Sequence, residues 1–398
     1  PAPGAEASPD LRSDAVMMLE RIEPARALDL VLQACEPLEP VRVSAAEASG
    51  LVLAEEIRSP GDHPPFDRAL RDGYAVCLAD AGGVVAVAGE VAAGQSCDVS
   101  LRPGHCFAVM TGAPCPPGTE AVVMRELVVE QIGADHVRLP ERIEPGQHIA
   151  PAGAECRAGE VALAEGQRVT PLAAAALASL GRRRVRVIPL PRLAVITTGN
   201  ELAGADAAPG RAQIRDSNGP MLAACARRLG LEAPLRAHAL DTLESLEQAL
   251  IAADGHELVA LTGGVSAGRY DLVPAALAGR GATPLFRRVK HDPGMPVMVA
   301  RRGRQLVFGL PGPPLASHFC FHRYVVPAAR ALAGRVAREP LWHGILAAPV
   351  EASARRARFV PALARGRPGA WSLTPLTGSY LQVHQAQAYL QLARGAGR

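Results

Sequence analysis

Leu193-Ala194-Val195-Ile196-Thr197-Thr198-Gly199-Asn200-Glu201 and Leu258-Val259-Ala260-Leu261-Thr262-Gly263-Gly264-Val265-Ser266-Ala267-Gly268 share one design. Each is a short apolar run that breaks into a loop of glycine and hydroxyl residues. Such runs, bounded by turn residues, mark strands buried on both faces. Helical patterns alternate with them. A helix from about 219 to 229 closes on Gly230, a strand lies near 234–239, and a helix follows at 243–253. Beyond Thr262 the pattern predicts a helix from about Asp271, a strand near 285–290, a hairpin near 297–308 and a helix over 315–332. Alternation of this kind gives a mainly parallel sheet covered by helices. Ligands of such sheets bind beyond the carboxyl ends of the strands, which makes the loops after Thr198 and Thr262 the first candidates for a site.

The residues in these loops suit an anionic ligand. Paired glycines let backbone N–H groups approach a phosphate or oxyanion closely, and Ser266 adds a hydroxyl donor. Glu201, Asp216, Asp241 and Asp271 fall near strand ends or loop tips of the same region. Carboxylates beside an anion loop point to Mg²⁺ bridging phosphate oxygens. Read singly, Asp216 and Asp271 equally suit helix N-caps. The rigid turns Lys290-His291-Asp292-Pro293-Gly294 and Leu310-Pro311-Gly312-Pro313 either present backbone groups to a ligand or simply reverse the chain.

Outward from this region the pattern changes. Apolar spacing over 14–33 predicts two short helices, the second starting at Pro24. Residues 59–140 carry short β-rich runs cut by Gly and Pro, as in a small β-barrel or sandwich. Residues 141–188 mix turns with one Ala-rich helix entered through Thr170-Pro171, and 336–398 read as a separate β-domain.

At 398 residues the chain has room for two to four domains. Its 42 basic residues nearly balance 39 acidic ones, and only 4% of residues are aromatic, which argues against a nucleic-acid-binding surface. Lys290 is the only lysine, the remaining basic residues being arginine. Eight dispersed cysteines without CxxC pairs read as reduced thiols of a cytoplasmic protein. No apolar run is long enough to span a bilayer. His318 and His322 form a close pair without a third ligand in the sequence around them, and read as satisfied or surface histidines.

Taken together, these segments resemble the MoeA/gephyrin family, the molybdopterin molybdenumtransferases of molybdenum-cofactor synthesis. The resemblance runs from about residue 14 to 392. It rests on Phe66-Asp67-Arg68 through Asp72-Gly73-Tyr74-Ala75-Val76, Glu90-Val91-Ala92-Ala93-Gly94, Thr111-Gly112-Ala113-Pro114, Thr198-Gly199-Asn200-Glu201-Leu202, Ile214-Arg215-Asp216-Ser217-Asn218, Gly263-Gly264-Val265-Ser266, Leu310-Pro311-Gly312 and Gly378-Ser379, in that order. It implies a multidomain α/β fold and an elongated homodimer. A discontinuous N-terminal α/β domain would take 9–58 and 141–188, and a β-rich lobe 59–140. A MogA-like three-layer α/β domain binding molybdopterin would take 189–335, and a C-terminal β-domain 336–398.

The resemblance also implies chemistry. Adenylylated molybdopterin and molybdate would be the substrates, with Mg²⁺, and adenylate cleavage would be coupled to metal insertion. Glu201, Asp241 and Asp271 would hold Mg²⁺ or serve the hydrolysis. Thr198, Gly199, Asp216, Ser217, Asn218, Gly263, Gly264, Ser266, Pro311 and Gly312 would line the nucleotide–pterin site. Asp72 and Thr111 would reach in from the β-rich lobe of the other subunit. Arg358 and Ser379, with Lys290, would hold the oxyanion. A MogA-like adenylyltransferase and molybdoenzyme maturation factors would be the protein partners, with neither nucleic acid nor membrane involved.

The sequence departs from the family pattern at several motifs: Ala69 and Arg71 replace the Ser and Met of SAMDGYA, His148 replaces the Asp of GEDI, and others change charge at the oxyanion side. The family's KPGKP reads Asp292-Pro293-Gly294-Met295-Pro296 here, so both lysines are replaced. The Asn and Ser of LPGNPxS become Pro313 and Ala316, with Ser317 one place late, and a family Asn becomes Tyr389. Molybdate is a dianion, and each unit of charge a few ångströms away contributes about 1–4 kcal/mol depending on the effective dielectric. The expectation is a weakened molybdate pocket beside an intact Mg²⁺/adenylate side, unless Lys290, Arg287, Arg288 or Arg358 compensates. The alternatives are a catalytically degenerate paralogue that acts as a pterin- or partner-binding module, and an enzyme for another oxyanion such as tungstate.

Overall fold

The computed structural model of the chain describes residues 19–204, 207–264, 272–367 and 369–392. They form two compact units, one of residues 42–187 and one of the described residues up to 41 and from 188 on.

The second of these units is built on a seven-stranded sheet. Its order is Leu19–Ile22, Thr283–Val289, Met298–Arg302, Gln305–Leu310, Leu258–Thr262, Leu193–Thr198 and Leu235–Ala239. Only Met298–Arg302 runs against its neighbours; the other six strands point their carboxyl ends the same way. Strand residues alternate between faces. Leu193, Val195, Leu258 and Ala260 pack with the helices Pro24–Gln33 and Asn218–Arg228 and the helical run over 314–332. Ala194, Ile196, Val259 and Leu261 pack with Leu243–Ala252 and Val273–Gly279 on the opposite face. The result is the three-layer α/β arrangement expected from the alternating pattern.

Local signals account for the helix ends. The Thr242 hydroxyl accepts a hydrogen bond from the Ser245 N–H at 3.2 Å, satisfying one of the free donors of the first turn. The Asp216 carboxylate accepts from the Gly219 N–H at 2.9 Å, but from one position before the N-cap, which is Ser217, so Asp216 supports the helix start without being its N-cap. Arg227 and Arg228 occupy the last turn of that helix, where positive charge complements the helix dipole.

Three expectations change. Leu19–Ile22 is a strand, not a helix, and pairs in parallel with Phe286–Val289. Apolar residues three apart suit either structure, and a partner strand so distant in sequence decides between them. Residues 24–33, grouped with the N-terminal domain from their position, pack on the sheet of this unit through Ala27, Leu28 and Val31. The helix expected over 315–332 consists of Pro314–Cys320, a π turn Phe321–Val325, and Val326–Leu332. Pro327 lacks an N–H and crowds the preceding turn, and the wider π turn accommodates it.

The C-terminal β-region joins the same unit. Strands Gly344–Leu346, Ala357–Arg367, Ala370–Pro375 and Ala388–Leu392 form a sheet with His291–Asp292, whose pairing with Ala357 and Arg358 is parallel. Phe359 and Tyr389 from this sheet pack against Phe319, the first tilted and the second edge-on, at 4.5 and 5.2 Å between ring centres.

In the unit of residues 42–187, a six-stranded sheet runs Glu130–Ile132, His136–Arg138, Val84–Val91, His105–Val109, Gly73–Val76 and Ala121–Met124. Its ladder is open among the described residues, so it is a sheet with an apolar cluster on each face rather than a closed barrel. A separate core around Leu53, Val169, Leu177 and Val187 holds the helix Pro171–Ser179, capped by Thr170 as its sequence indicated. No helix among the described residues is long and apolar enough to cross a membrane.

Candidate functional site

Two neighbouring strands of the α/β unit send the chain in opposite directions. It leaves Leu193–Thr198 toward Leu235–Ala239 on one side, and leaves Leu258–Thr262 toward Thr283–Val289 on the other. The crevice between their carboxyl ends is therefore the switch point of the sheet. Thr198-Gly199-Asn200-Glu201 and Thr262-Gly263-Gly264 meet there, and the Thr198 hydroxyl donates to the Thr262 carbonyl at 3.1 Å.

Glycine is required at this contact. Gly263 has φ of +89°, and a Cβ on it would lie 2.6 Å from Thr198 Oγ1 and 2.7 Å from the Thr198 carbonyl oxygen. Gly199, at φ +142°, would bring a Cβ to 2.3 Å from a Glu201 carboxylate oxygen. The Glu201 side chain thus folds back over its own loop.

Asp241 belongs to the neighbouring loop, and Asn200 ties the two together. The Asn200 N–H donates to Asp241 Oδ2 at 3.3 Å, while the Asp241 N–H donates to Asn200 Oδ1 at 3.1 Å. A small cavity is lined by Thr198, Asp241, Gly264, Leu272 and Val273. Glu201 and Asp241 are hard oxygen donors on adjacent loops, a set that fits Mg²⁺.

The opposite face of the sheet carries a cavity of about 340 Å³, lined by Thr197, Ala203, Gly204, Asp216, Gly219 and Arg236 among others. Asp216 is fixed three ways, by the Gly219 N–H, by the Thr197 hydroxyl at 3.3 Å and by Arg236 at 3.7 Å. Ser217 precedes the helix Asn218–Arg228. Asn218 Nδ2 donates to the Gly312 carbonyl at 2.7 Å, which draws the Pro311-Gly312 turn to this helix start. Asn218 Oδ1 is buried and has no partner among the described residues. Ser266 and Asp271 lie outside the described residues.

Lys290, Asp292 and Arg358 stand at the same carboxyl edge, after the strand Thr283–Val289. That strand is four places from Leu193–Thr198 in the sheet, roughly 19 Å at ordinary strand spacing. Lys290 Nζ pairs with Glu23 at 3.1 Å. Arg358 Nε lies 3.9 Å from Asp292, and its NH1 donates to the Glu351 carbonyl at 2.6 Å. His291 is fully buried between these residues. It bonds through Nδ1 to the Pro293 carbonyl and through Nε2 to the Tyr324 hydroxyl, both at 2.8 Å. Burial lowers its pKa to about 4, so it carries no positive charge near neutral pH. Ser379 heads the helix Tyr380–Val383, its N–H donating to Gln382 Oε1 at 2.7 Å. Ser317 is fully buried, its hydroxyl without a partner among the described residues.

In the unit of residues 42–187, Asp72 and Thr111 come together. Asp72 Oδ1 accepts from the Thr111 N–H and hydroxyl, each at 2.7 Å. These bonds hold the Asp72 carboxyl below its usual range, so it stays ionised while exposed. The adjacent glycine has a steric reason, since a Cβ on Gly73 would lie 2.1 Å from the Val123 carbonyl oxygen.

Two features escaped the sequence reading. Asn200 is the clasp between the two acidic loops. Cys225 stands beside His318 and His322, giving that pair a third neighbour.

Comparison with known proteins finds relatives over most of the chain. The family description "MoeA N-terminal region (domain I and II)" matches residues 14–181, and "probable molybdopterin binding domain" matches 194–331. A molybdopterin molybdenumtransferase of Staphylococcus aureus (strain Mu50) is 32% identical over 329 residues, covering 80% of this chain and 78% of the relative. One of Staphylococcus epidermidis is 33% identical over 308 residues, covering 75% and 73%. The solved structure of a molybdopterin biosynthesis MoeA protein from Pyrococcus horikoshii superposes with a TM-score of 0.78 at 28% identity, covering 94% of this chain and 95% of that one.

Proposed function

The chain belongs to the MoeA family of molybdopterin molybdenumtransferases, and from that premise we propose that it inserts molybdate into adenylylated molybdopterin with release of AMP, in the presence of Mg²⁺. The observation that carries this reading is the convergence of Glu201 and Asp241 on the Gly199-Asn200 loop at the switch crevice, beside the positive-φ Gly263-Gly264 turn. Anions bind where backbone N–H groups are uncovered, and Mg²⁺ binds where carboxylates face them.

In this reading Gly263, whose own N–H donates to the Leu310 carbonyl at 3.2 Å, and Gly264 keep side chains out of the crevice so that the phosphates can approach, and Asn218 holds the Pro311-Gly312 turn against the pterin side. Thr198, Gly199, Asp216, Ser217 and Ser266 complete the lining. Glu201 and Asp241, with Asp271, would hold Mg²⁺, which when bound neutralises phosphate charge and polarises the bond to be cleaved. Asp72, kept ionised by Thr111, would act on the site from the β-rich lobe of a second subunit. Arg358, Ser379 and Lys290 would receive molybdate. We read the chain as four domains within the two compact units, working as a cytoplasmic homodimer beside a MogA-like adenylyltransferase and molybdoenzyme maturation factors.

The test is to incubate the purified chain with adenylylated molybdopterin, Mg²⁺ and molybdate, and to measure AMP together with the capacity to reconstitute an apo-molybdoenzyme. Both products should form, and both should be lost in Asp241→Asn. AMP formation that is unchanged in that variant would contradict the assignment of the acidic loops.

A second reading has its own observation. With Asp292 beside Arg358 and Lys290 beside Glu23, two of the cations on the molybdate side are already matched by acids. A chain that binds the pterin nucleotide without inserting metal would have this appearance.

A further inference from the structure

Cys225, His318 and His322 lie together on two helices of the α/β unit and take no part in the site above. Cys225 comes from Asn218–Arg228, His318 from Pro314–Cys320 and His322 from the π turn Phe321–Val325. One ligand atom from each lies within 4.8 Å of the other two. Cys225 Sγ is 3.8 Å from His322 Nε2, and the two imidazole centres are 4.5 Å apart. The Tyr389 hydroxyl is 2.8 Å from His318 Nδ1.

We infer that these three side chains form a binding site for one divalent transition-metal ion of the zinc type, with the fourth coordination position open. A thiolate with two neutral imidazoles is a ligand set that such ions favour. Tetrahedral zinc, with Zn–N of about 2.0–2.1 Å and Zn–S of about 2.3 Å, places ligand atoms roughly 3.3–3.8 Å from one another. The Cys225–His322 pair already stands at that separation, and the remaining gap closes by about 1 Å. The two histidines, four residues apart, present one helical face, as paired helical zinc ligands do.

The surroundings agree. Tyr389 engages Nδ1 of His318, which leaves Nε2 for the ion and fixes the ring, the usual outer support of a ligating histidine. π turns inside helices gather at functional positions. His322 is exposed, which gives the ion a path in and a water a place at the fourth position. Arg228 and Arg330 are the nearby positive charges, and the Cys225 thiolate formed on binding offsets part of their repulsion.

Such an ion would fasten parts that bear on the catalytic site. Asn218–Arg228 starts at the Asp216-Ser217-Asn218 segment, and Pro314–Cys320 starts directly after Pro311-Gly312. Tyr389 extends the link to the C-terminal sheet. The inference stands apart from the transferase reading, because its test reads metal and not product.

The metal-stripped full chain is titrated with Co²⁺ and then Zn²⁺ while absorption and thermal unfolding are followed. One Co²⁺ per chain should bind with a thiolate-to-cobalt charge-transfer band, Zn²⁺ should displace it, and Zn²⁺ should raise the Tm. Cys225→Ser should abolish the band. His322→Asn, at an exposed position that leaves the fold intact, should weaken Zn²⁺ binding at least about tenfold. A band that persists in Cys225→Ser, unchanged affinity in His322→Asn, or absence of stoichiometric binding by the folded chain would overturn the inference.

Discussion

The guanidinium of Arg358 stands 3.9 Å from the carboxylate of Asp292, on adjoining strands held in register by the pairing of these same two residues. By the motif resemblance the acid stands where the family carries a lysine, and its partner is the arginine proposed for the oxyanion. In that reading Asp292 both removes a positive charge and screens Arg358.

Replacing Asp292 should strengthen the response to molybdate. Removing one negative charge a few ångströms from a dianion contributes about 1 kcal/mol or more, so Asp292→Asn should lower the half-saturating molybdate concentration about fivefold. Asp292→Lys should lower it further. Nucleotide affinity should stay unchanged, because the acidic loops lie roughly 19 Å along the sheet edge, beyond about two Debye lengths at physiological salt. Parallel titrations of molybdate and nucleotide check both points.

Gly263→Ala should remove nucleotide binding. The new methyl would meet Thr198 Oγ1 and the Thr198 carbonyl at a backbone φ of +89°. Strain at such a position costs about 1–3 kcal/mol before the clash is added. Gly281→Ala makes the control, since Gly281 has φ +72° with nothing within 4 Å of a built Cβ. It should lower stability by only about 1 kcal/mol and leave binding intact, as thermal unfolding and equilibrium binding will show.

Acid should destabilise the α/β unit through His291. Burial lowers its folded pKa to about 4 from an ordinary 6.5, so the unfolded chain binds more protons between those values. The stabilisation is complete above pH 6.5 and is lost as the pH falls through about 4. The urea midpoint should drop over that interval, to which His318, also lowered to about 4 by burial, contributes, and His291→Asn should reduce the slope even though it lowers the midpoint throughout. An unchanged slope in the variant would show that His291 is not one of the titrating groups.

Tyr324→Phe should cost about 1–3 kcal/mol, the penalty of leaving the His291 Nε2 buried without its hydroxyl partner. Chemical denaturation at neutral pH measures it.

The central strands and their glycine loops were legible because each signal is local: an apolar run, then small residues that free the backbone. The helix starts at Thr170 and Thr242 have the same local origin. Leu19–Ile22 was not legible, since its strand character comes from Phe286–Val289 and not from its own four residues. The neighbours of His318 and His322 were hidden for a related reason. Cys225 and His322 are 97 residues apart, and no periodicity links two helices that meet only across the folded core. The replacement of the family lysines could be seen in sequence, but the pairing of Asp292 with Arg358 depends on a strand register that only the fold supplies.

The most direct test of the transferase account is AMP release from adenylylated molybdopterin with Mg²⁺ across a molybdate titration. Release should rise with molybdate, saturate, and vanish in Asp241→Asn. Tight nucleotide binding with a release rate indifferent to molybdate would contradict the account and leave a pterin-binding protein in its place.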